Sequence, residues 1–244
     1  MTDPIPASAA STPLADIREA LTFIAEPRAV RPADEPFSAH LKPLLVLLAV
    51  NIAVLFTLLP LLELWNKAMG IETPKLVLDH NSPLLIVAAV AILPPLEELV
   101  FRGWQTGKAW QLALLLGGLL TGLAAFMAGP AGAGWLGLPL LGVGAVLTAI
   151  AAWTLRGRSE SPGWFTRHFR WIFWFTAALF ASAHYSNYTG LSWAHAPLVL
   201  PQLWAGLLLG FVRLRYGLLR SAALHVGSNA LVVAISALTG LAGA

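Results

Sequence analysis

The chain has 244 residues, of which 57% are hydrophobic and only 11% charged, with a mean hydropathy of +0.73 and a net charge of +3. A soluble domain carries about 25% charged residues, so this chain has too few charges to coat a water-facing surface of its size. The slight excess of base does not point to nucleic acid, because Lys and Arg cluster between apolar runs, where they act as membrane topology signals. The absence of cysteine removes disulfides, thiolate nucleophiles and Cys-ligated zinc.

In chain order, residues 1–42 are mixed and polar, with no basic stretch leading into an apolar one, which predicts no cleaved signal peptide. Thr12-Pro13 reads as an N-cap followed by proline in the first helical turn. Ile17, Leu21 and Ile24 then recur at helical spacing. The pattern predicts a cytoplasmic tail bearing a short amphipathic helix over about 13–26 that lies on the membrane surface. Residues 43–241 read as a single transmembrane domain. A span needs about 20 residues to cross the hydrocarbon core, and apolar runs of that order fall at about 43–65, 82–104, 110–128, 134–155, 169–187, 196–214 and 219–241. The predicted fold class is therefore all-α, a polytopic transmembrane helix bundle of about seven spans with an N-terminal interfacial helix. Between the third and fourth runs, Gly129-Pro130-Ala131-Gly132-Ala133-Gly134 predicts a tight turn and an antiparallel pair. Gly206 and Gly210, spaced four apart in the sixth run, predict close helix packing.

Orientation follows from the flanks. Arg18, Arg28, Arg31, Lys42, Arg102, Lys108, Arg156, Arg158, Arg167, Arg170, Arg213, Arg215 and Arg220 would lie on one side, against Lys67 and Lys75 on the other. Positive residues stay in the cytoplasm, which places the N-terminus inside and the C-terminus outside. Arg102 belongs to a helix as readily as to a loop, and removing it leaves the orientation unchanged.

Charge inside lipid costs about 2.5–3.5 kcal/mol per residue on insertion scales, so ionisable residues within the runs need a reason. Glu97 and Glu98 follow the apolar stretch Ile86 to Leu96. Arg102 lies four residues after Glu98 on the same helical face and can neutralise it. That leaves Glu97 as the carboxylate able to take a proton from water. Pro94-Pro95 precede the pair and break the helix. Unwound backbone at membrane depth is tolerated where it lines a cavity, so the prolines and glutamates together predict a wet pocket. His184 ends the run Ile172 to Ala183, and Asn229 follows His225 by four residues on one helical face. Taken singly, a membrane histidine or asparagine is glue between helices. Two acids, two imidazoles, an amide and an arginine on three apolar segments instead predict one site. Neutral imidazoles with a carboxylate can ligate zinc or can activate water directly. His40, His80, His168 and His195 fall in flanks or loops and are weaker candidates.

Three motifs carry a resemblance. Glu97-Glu98-Leu99-Val100-Phe101-Arg102 has the form EExxxR, Phe180-Ala181-Ser182-Ala183-His184 the form FxxxH, and His225-Val226-Gly227-Ser228-Asn229 the form HxxxN. In that order, each in an apolar run, they resemble the CPBP intramembrane protease family, the CAAX-prenyl protease 2 and bacterial self-immunity group. The resemblance covers about 82–241. It implies an intramembrane endopeptidase in a cell membrane, the bacterial inner membrane, acting on a membrane-associated peptide, with CAAX-type processing as the best-known substrate class. Under it Glu97 is the general base, His184 binds or polarises the water, and His225 and Asn229 complete the site, with Asn229 suited to the oxyanion. Glu98 and Arg102 hold the architecture. No cofactor follows with certainty; zinc is the option left open, with His184 and His225 as its ligands. The chain departs from compact relatives at about 110–155, where two extra runs suggest an accessory hairpin. The seven-run scheme also places His184 near the far end of its span and His225 near the cytoplasmic start of its own, at different depths; either the fifth and seventh helices are tilted, or, as preferred, a surface helix runs from Pro162 to about Trp171, which brings His184 shallower only if the fifth helix also runs past Tyr185. Two other functions fit the same residues. One is a non-catalytic membrane adaptor or immunity factor, and the other a small transporter or proton relay.

Overall fold

The computed structural model describes residues 12–30, 32, 35–71, 82–130, 132–158, 160–188 and 192–239, and every regular element among them is helical. In chain order the α-helices are α1 (Pro13–Ala25), α2 (Leu41–Met69), α3 (Pro83–Val87), α4 (Leu93–Arg102), α5 (Ala109–Ala128), α6 (Gly137–Leu155), α7 (Gly163–Arg167), α8 (Phe169–Ala183), α9 (Leu200–Tyr216) and α10 (Leu218–Thr239). A π-helical turn, Ala88–Ile92, joins α3 to α4, and short 3-10 turns precede α2 and α9 and follow α8. Arg31, Lys75, His80 and Ala131 lie outside the described residues.

Six of these segments are long and apolar enough to cross a membrane: Phe37–Met69, Pro83–Arg102, Ala109–Ala128, Gly134–Leu155, Trp193–Tyr216 and Leu218–Ile235. Most of their large apolar side chains point outward, among them Leu59, Leu99, Leu119 and Leu147. A surface so apolar is stable against acyl chains and not against water. The protein is an integral membrane protein of about seven spans, and α8 falls on the one remaining apolar run of the sequence. With 15 residues, α8 rises about 22 Å, less than the roughly 30 Å of hydrocarbon.

The chain divides into two compact units. One comprises Gly103–His168 and is built on the antiparallel pair α5–α6. Glycine faces threonine twice across that pair, Gly117 against Thr148 and Gly144 against Thr121, and a Cβ at either glycine would overlap its partner. The turn between them uses Gly132 at φ 74°, in the left-handed region that glycine enters without strain. In the preceding loop, Ser161 Oγ donates to Thr106 O at 2.9 Å, and Gly107, at φ 69°, lies under the Phe165 ring.

The other unit holds α1–α4 and α8–α10. Helix α9 is its centre, packed on α1, α2, α8 and α10, while α10 also meets α2, α4 and the π turn. The glycine pair in α9 lets α8 approach closely. A Cβ at Gly206 would stand 3.2 Å from both Cα and O of Ala177, and one at Gly210 2.7 Å from Phe173 Cε2. Backbone cannot yield as a side chain can. Gly206→Leu should therefore push α8 from α9 and cost about 1–3 kcal/mol, seen as a lower unfolding temperature in detergent.

Helix α1 begins at the expected cap, with Ala15 N donating to Thr12 Oγ1 at 3.3 Å. Its buried face is rotated from the expected stripe. Ala20, Phe23 and Ile24 are buried, whereas Leu21 is 50% exposed. Phe23 explains the rotation, since its ring sits 5.6 Å from that of Phe173 and 5.4 Å from that of Phe211. Arg215 Nε donates to Glu19 Oε1 at 2.7 Å and fixes α1 to α9. Leu14 and Leu21 remain as an outward apolar stripe.

Arg102, Arg213 and Arg215, counted above among the topology charges, are buried in the last turns of α4 and α9. Each meets an acceptor there, so these arginines hold helices together. The Arg213 Nε–H, for example, donates to Arg102 O at 2.9 Å, capping a carbonyl that the end of α4 leaves without a helical donor.

Candidate active site

The site is assembled from α4, the C-terminal end of α8 and α10, all in the second unit. The entrance to α4 sets its geometry. Pro94 and Pro95 have no N–H, so the turn before them cannot close in α register. It opens to the π spacing, with Leu93 N–H donating to Ala88 O five residues back. Helix α4 then runs through Glu97 and Glu98, whose side chains take different surroundings. Glu98 is fully buried, while Glu97 keeps 32% of its side chain exposed.

Glu98 is the hub. Arg102 Nη1 donates to its Oε1 at 2.5 Å, His225 Nδ1 lies 3.1 Å from the same oxygen, and Ser221 Oγ donates to Oε2. Three donors on one carboxyl group hold it as a carboxylate. The Nδ1 proton of His225 is thereby directed at Glu98, which leaves Nε2 on the opposite side of the ring, 3.7 Å from Glu97 Oε2. A carboxylate fixing one ring nitrogen so that the other faces the chemistry is a recurrent orienting device.

His184 is oriented by backbone. Its Nδ1 lies 2.9 Å from Phe180 O. A carbonyl only accepts, so Nδ1 carries the proton and Nε2 of the neutral ring is an acceptor. Phe180 is the common neighbour of the site. Its ring centroid is 4.8 Å from that of His184 and 6.0 Å from that of His225, and the Arg102 guanidinium lies over its face at 4.0 Å. Residues expected at different depths thus gather about one buried ring. Asn229, one turn beyond His225, donates from Nδ2 to Ala89 O at 3.0 Å, so α10 clamps the π turn.

Three polar residues beside these went unmarked in the sequence. Ser221 stands four residues before His225, and that spacing on one helical face was the available signal. Asn51 Nδ2 in α2 donates to Ser228 Oγ at 3.0 Å, tying α2 to α10. A lone amide inside an apolar run is the trace such a residue leaves. Arg213 left none, because its position near a span end is that of an ordinary topology charge. Ser221 is fully buried, and Ser221→Ala would remove a hydrogen bond to a charged group. A loss of about 1.5–3 kcal/mol is expected, with weaker hold on His225 appearing as reduced kcat alongside the lower thermal stability.

A catalytic zinc takes three protein ligands and one water. Among the described residues no three His, Cys, Asp or Glu side chains group in a way that could hold a metal ion. His184, His225 and Glu97 therefore do not fit such a centre.

The chain matches the family model described as Type II CAAX prenyl endopeptidase Rce1-like over residues 157–231. That segment contains the FxxxH and HxxxN motifs and begins well after α4, so Glu97, Glu98 and Arg102 lie outside it. No curated protein and no solved structure matches the chain. The match spans His184, His225 and Asn229, so this segment of an all-helical membrane chain is similar to the type II CAAX prenyl endopeptidases.

Proposed function

We propose that the protein is an intramembrane endopeptidase that hydrolyses a peptide bond with water activated by Glu97. The observation that supports this most is the partly exposed Glu97 carboxylate facing His225 Nε2 from a separate helix, while Glu98 holds the far side of the same ring. One O–H of the water points to Glu97 and the other to the acceptor Nε2 of His184. Glu97 takes the first proton as the water oxygen bonds to the scissile carbonyl carbon, and the carbonyl electrons move onto its oxygen. The second Nδ2 hydrogen of Asn229 meets that oxyanion. The C–N bond then breaks as the nitrogen receives the proton from Glu97, releasing an amine and a carboxylic acid. The substrate is a membrane-associated peptide, with a prenylated CAAX tail as the first class to try. The membrane is a bacterial inner membrane, with the N-terminus in the cytoplasm.

The test is the purified protein in proteoliposomes, given a farnesylated CAAX peptide while an internal dye follows pH. Release of the terminal fragment without proton flux is expected. Flux that depends on Glu97, with no cleavage, would transfer the site to a proton relay.

A further inference from the structure

The two prolines and the π turn together decide which carbonyls near the site lack a helical donor. Leu93 N–H is committed to Ala88 O. The next carbonyl, Ala89, would need an N–H at position 94, and Val90 one at 94 or 95. Both positions are proline and carry none. The Ala89 carbonyl receives Asn229 Nδ2 from α10 instead. Val90 has no such substitute, as no side chain among the described residues donates to it. It is only half-buried. Helix carbonyls point toward the C-terminus, so this one is directed along the helix toward the turn of Glu97, seven residues on and on roughly the same face.

We propose that the Val90 carbonyl receives a backbone N–H of the bound substrate beside the bond to be cleaved. The inference rests on the proteolytic reading above and adds its mode of substrate recognition. A peptide must be extended at the scissile bond for water to reach its carbonyl. Extension removes the peptide's own helical acceptors, and in a bilayer no bulk water replaces them. A site that cleaves there must therefore supply an acceptor, and the proline pair leaves one open within the wall that also carries the base. The ligand class is an extended peptide main chain. Selectivity at this point falls on the N–H and not on the side chain, as when a strand is added to a sheet edge.

The experiment uses a fluorescent farnesylated CAAX peptide and a set of analogues, each with one amide N–H near the scissile bond replaced by an ester oxygen. Binding is measured to Glu97→Gln in nanodiscs, so that cleavage does not enter. One ester position should bind about tenfold more weakly than the amide and the others alike. Pro94→Ala, made in the same background, supplies an N–H that competes for Val90 O. It should weaken the amide peptide to the level of that ester and erase the difference between them. Equal binding across the ester set, no binding of the amide peptide, or a preference that survives Pro94→Ala overturns the proposal. Cleavage of the amide peptide by the protein with Glu97 intact is assayed in parallel. Binding with the ester signature but no cleavage would refute the proteolytic reading alone, whereas cleavage with a flat ester scan would refute the Val90 acceptor alone. The ester scan does not depend on Pro94→Ala folding.

Discussion

Arg102→Met is expected to cost the fold roughly 3–5 kcal/mol, because it strands a charge where water cannot reach it. The side chains of Glu98 and Arg102 are 0% and 1% exposed, and they meet at 2.5 Å. Removing the guanidinium leaves the carboxylate with Ser221 and His225 as its remaining donors and no formal positive partner on its own helix. It also empties the face of Phe180, against which the guanidinium is stacked. The double variant Glu98→Gln/Arg102→Met removes the charge together with its partner and should recover most of the stability. Activity should not return with it, since His225 has then lost the ionised acceptor that fixes its ring. Thermal unfolding in one detergent, with the rate measured on the same samples, separates the two effects. Additive losses in the double variant would show that the pair does not act as a unit.

Glu97→Gln is expected to lower the rate of hydrolysis by about a thousandfold, the usual worth of a positioned general base, while leaving the fold intact. The contrast with Glu98 comes from burial. Glu97 is partly exposed and stands 3.7 Å from His225, beyond hydrogen-bond reach, so its amide breaks no buried pair. Glutamine retains the shape and loses the ability to take a proton. An unfolding temperature near that of the unaltered protein, together with a lost rate, is the signature of a base. A fall in both would make Glu97 a structural residue.

Much of this arrangement is written in the sequence at the level of spacing. The apolar runs mark the spans because hydrocarbon demands length and apolarity, and the structure has helices at each of them. The EExxxR, FxxxH and HxxxN motifs put the polar residues on single helical faces, and Pro94-Pro95 mark the break that becomes the π turn. Lengths and rotations that depend on partners were harder to read. The run 169–187 is continuous in hydropathy, but α8 ends at Ala183 and gives way to a 3-10 turn at His184. The run length therefore overstated the length of the helix. The face of α1 was set by Phe23 meeting Phe173 and Phe211, a choice made between helices far apart in sequence. Arg213 and Arg215 look like loop charges until α9 extends past them and buries both. Ser221 and Asn51 are ordinary polar residues in sequence; each acquires its role from a partner on another helix.

The product itself gives the most direct test of Glu97 as the base. Purified protein in proteoliposomes, given the farnesylated CAAX peptide in 18O-enriched water, should release a fragment whose new carboxyl group carries oxygen from the solvent. The Glu97→Gln variant, folded in the same vesicles, should release almost none. Absence of the fragment from the unaltered protein, or its release at an equal rate by Glu97→Gln, would contradict a hydrolytic site built on Glu97.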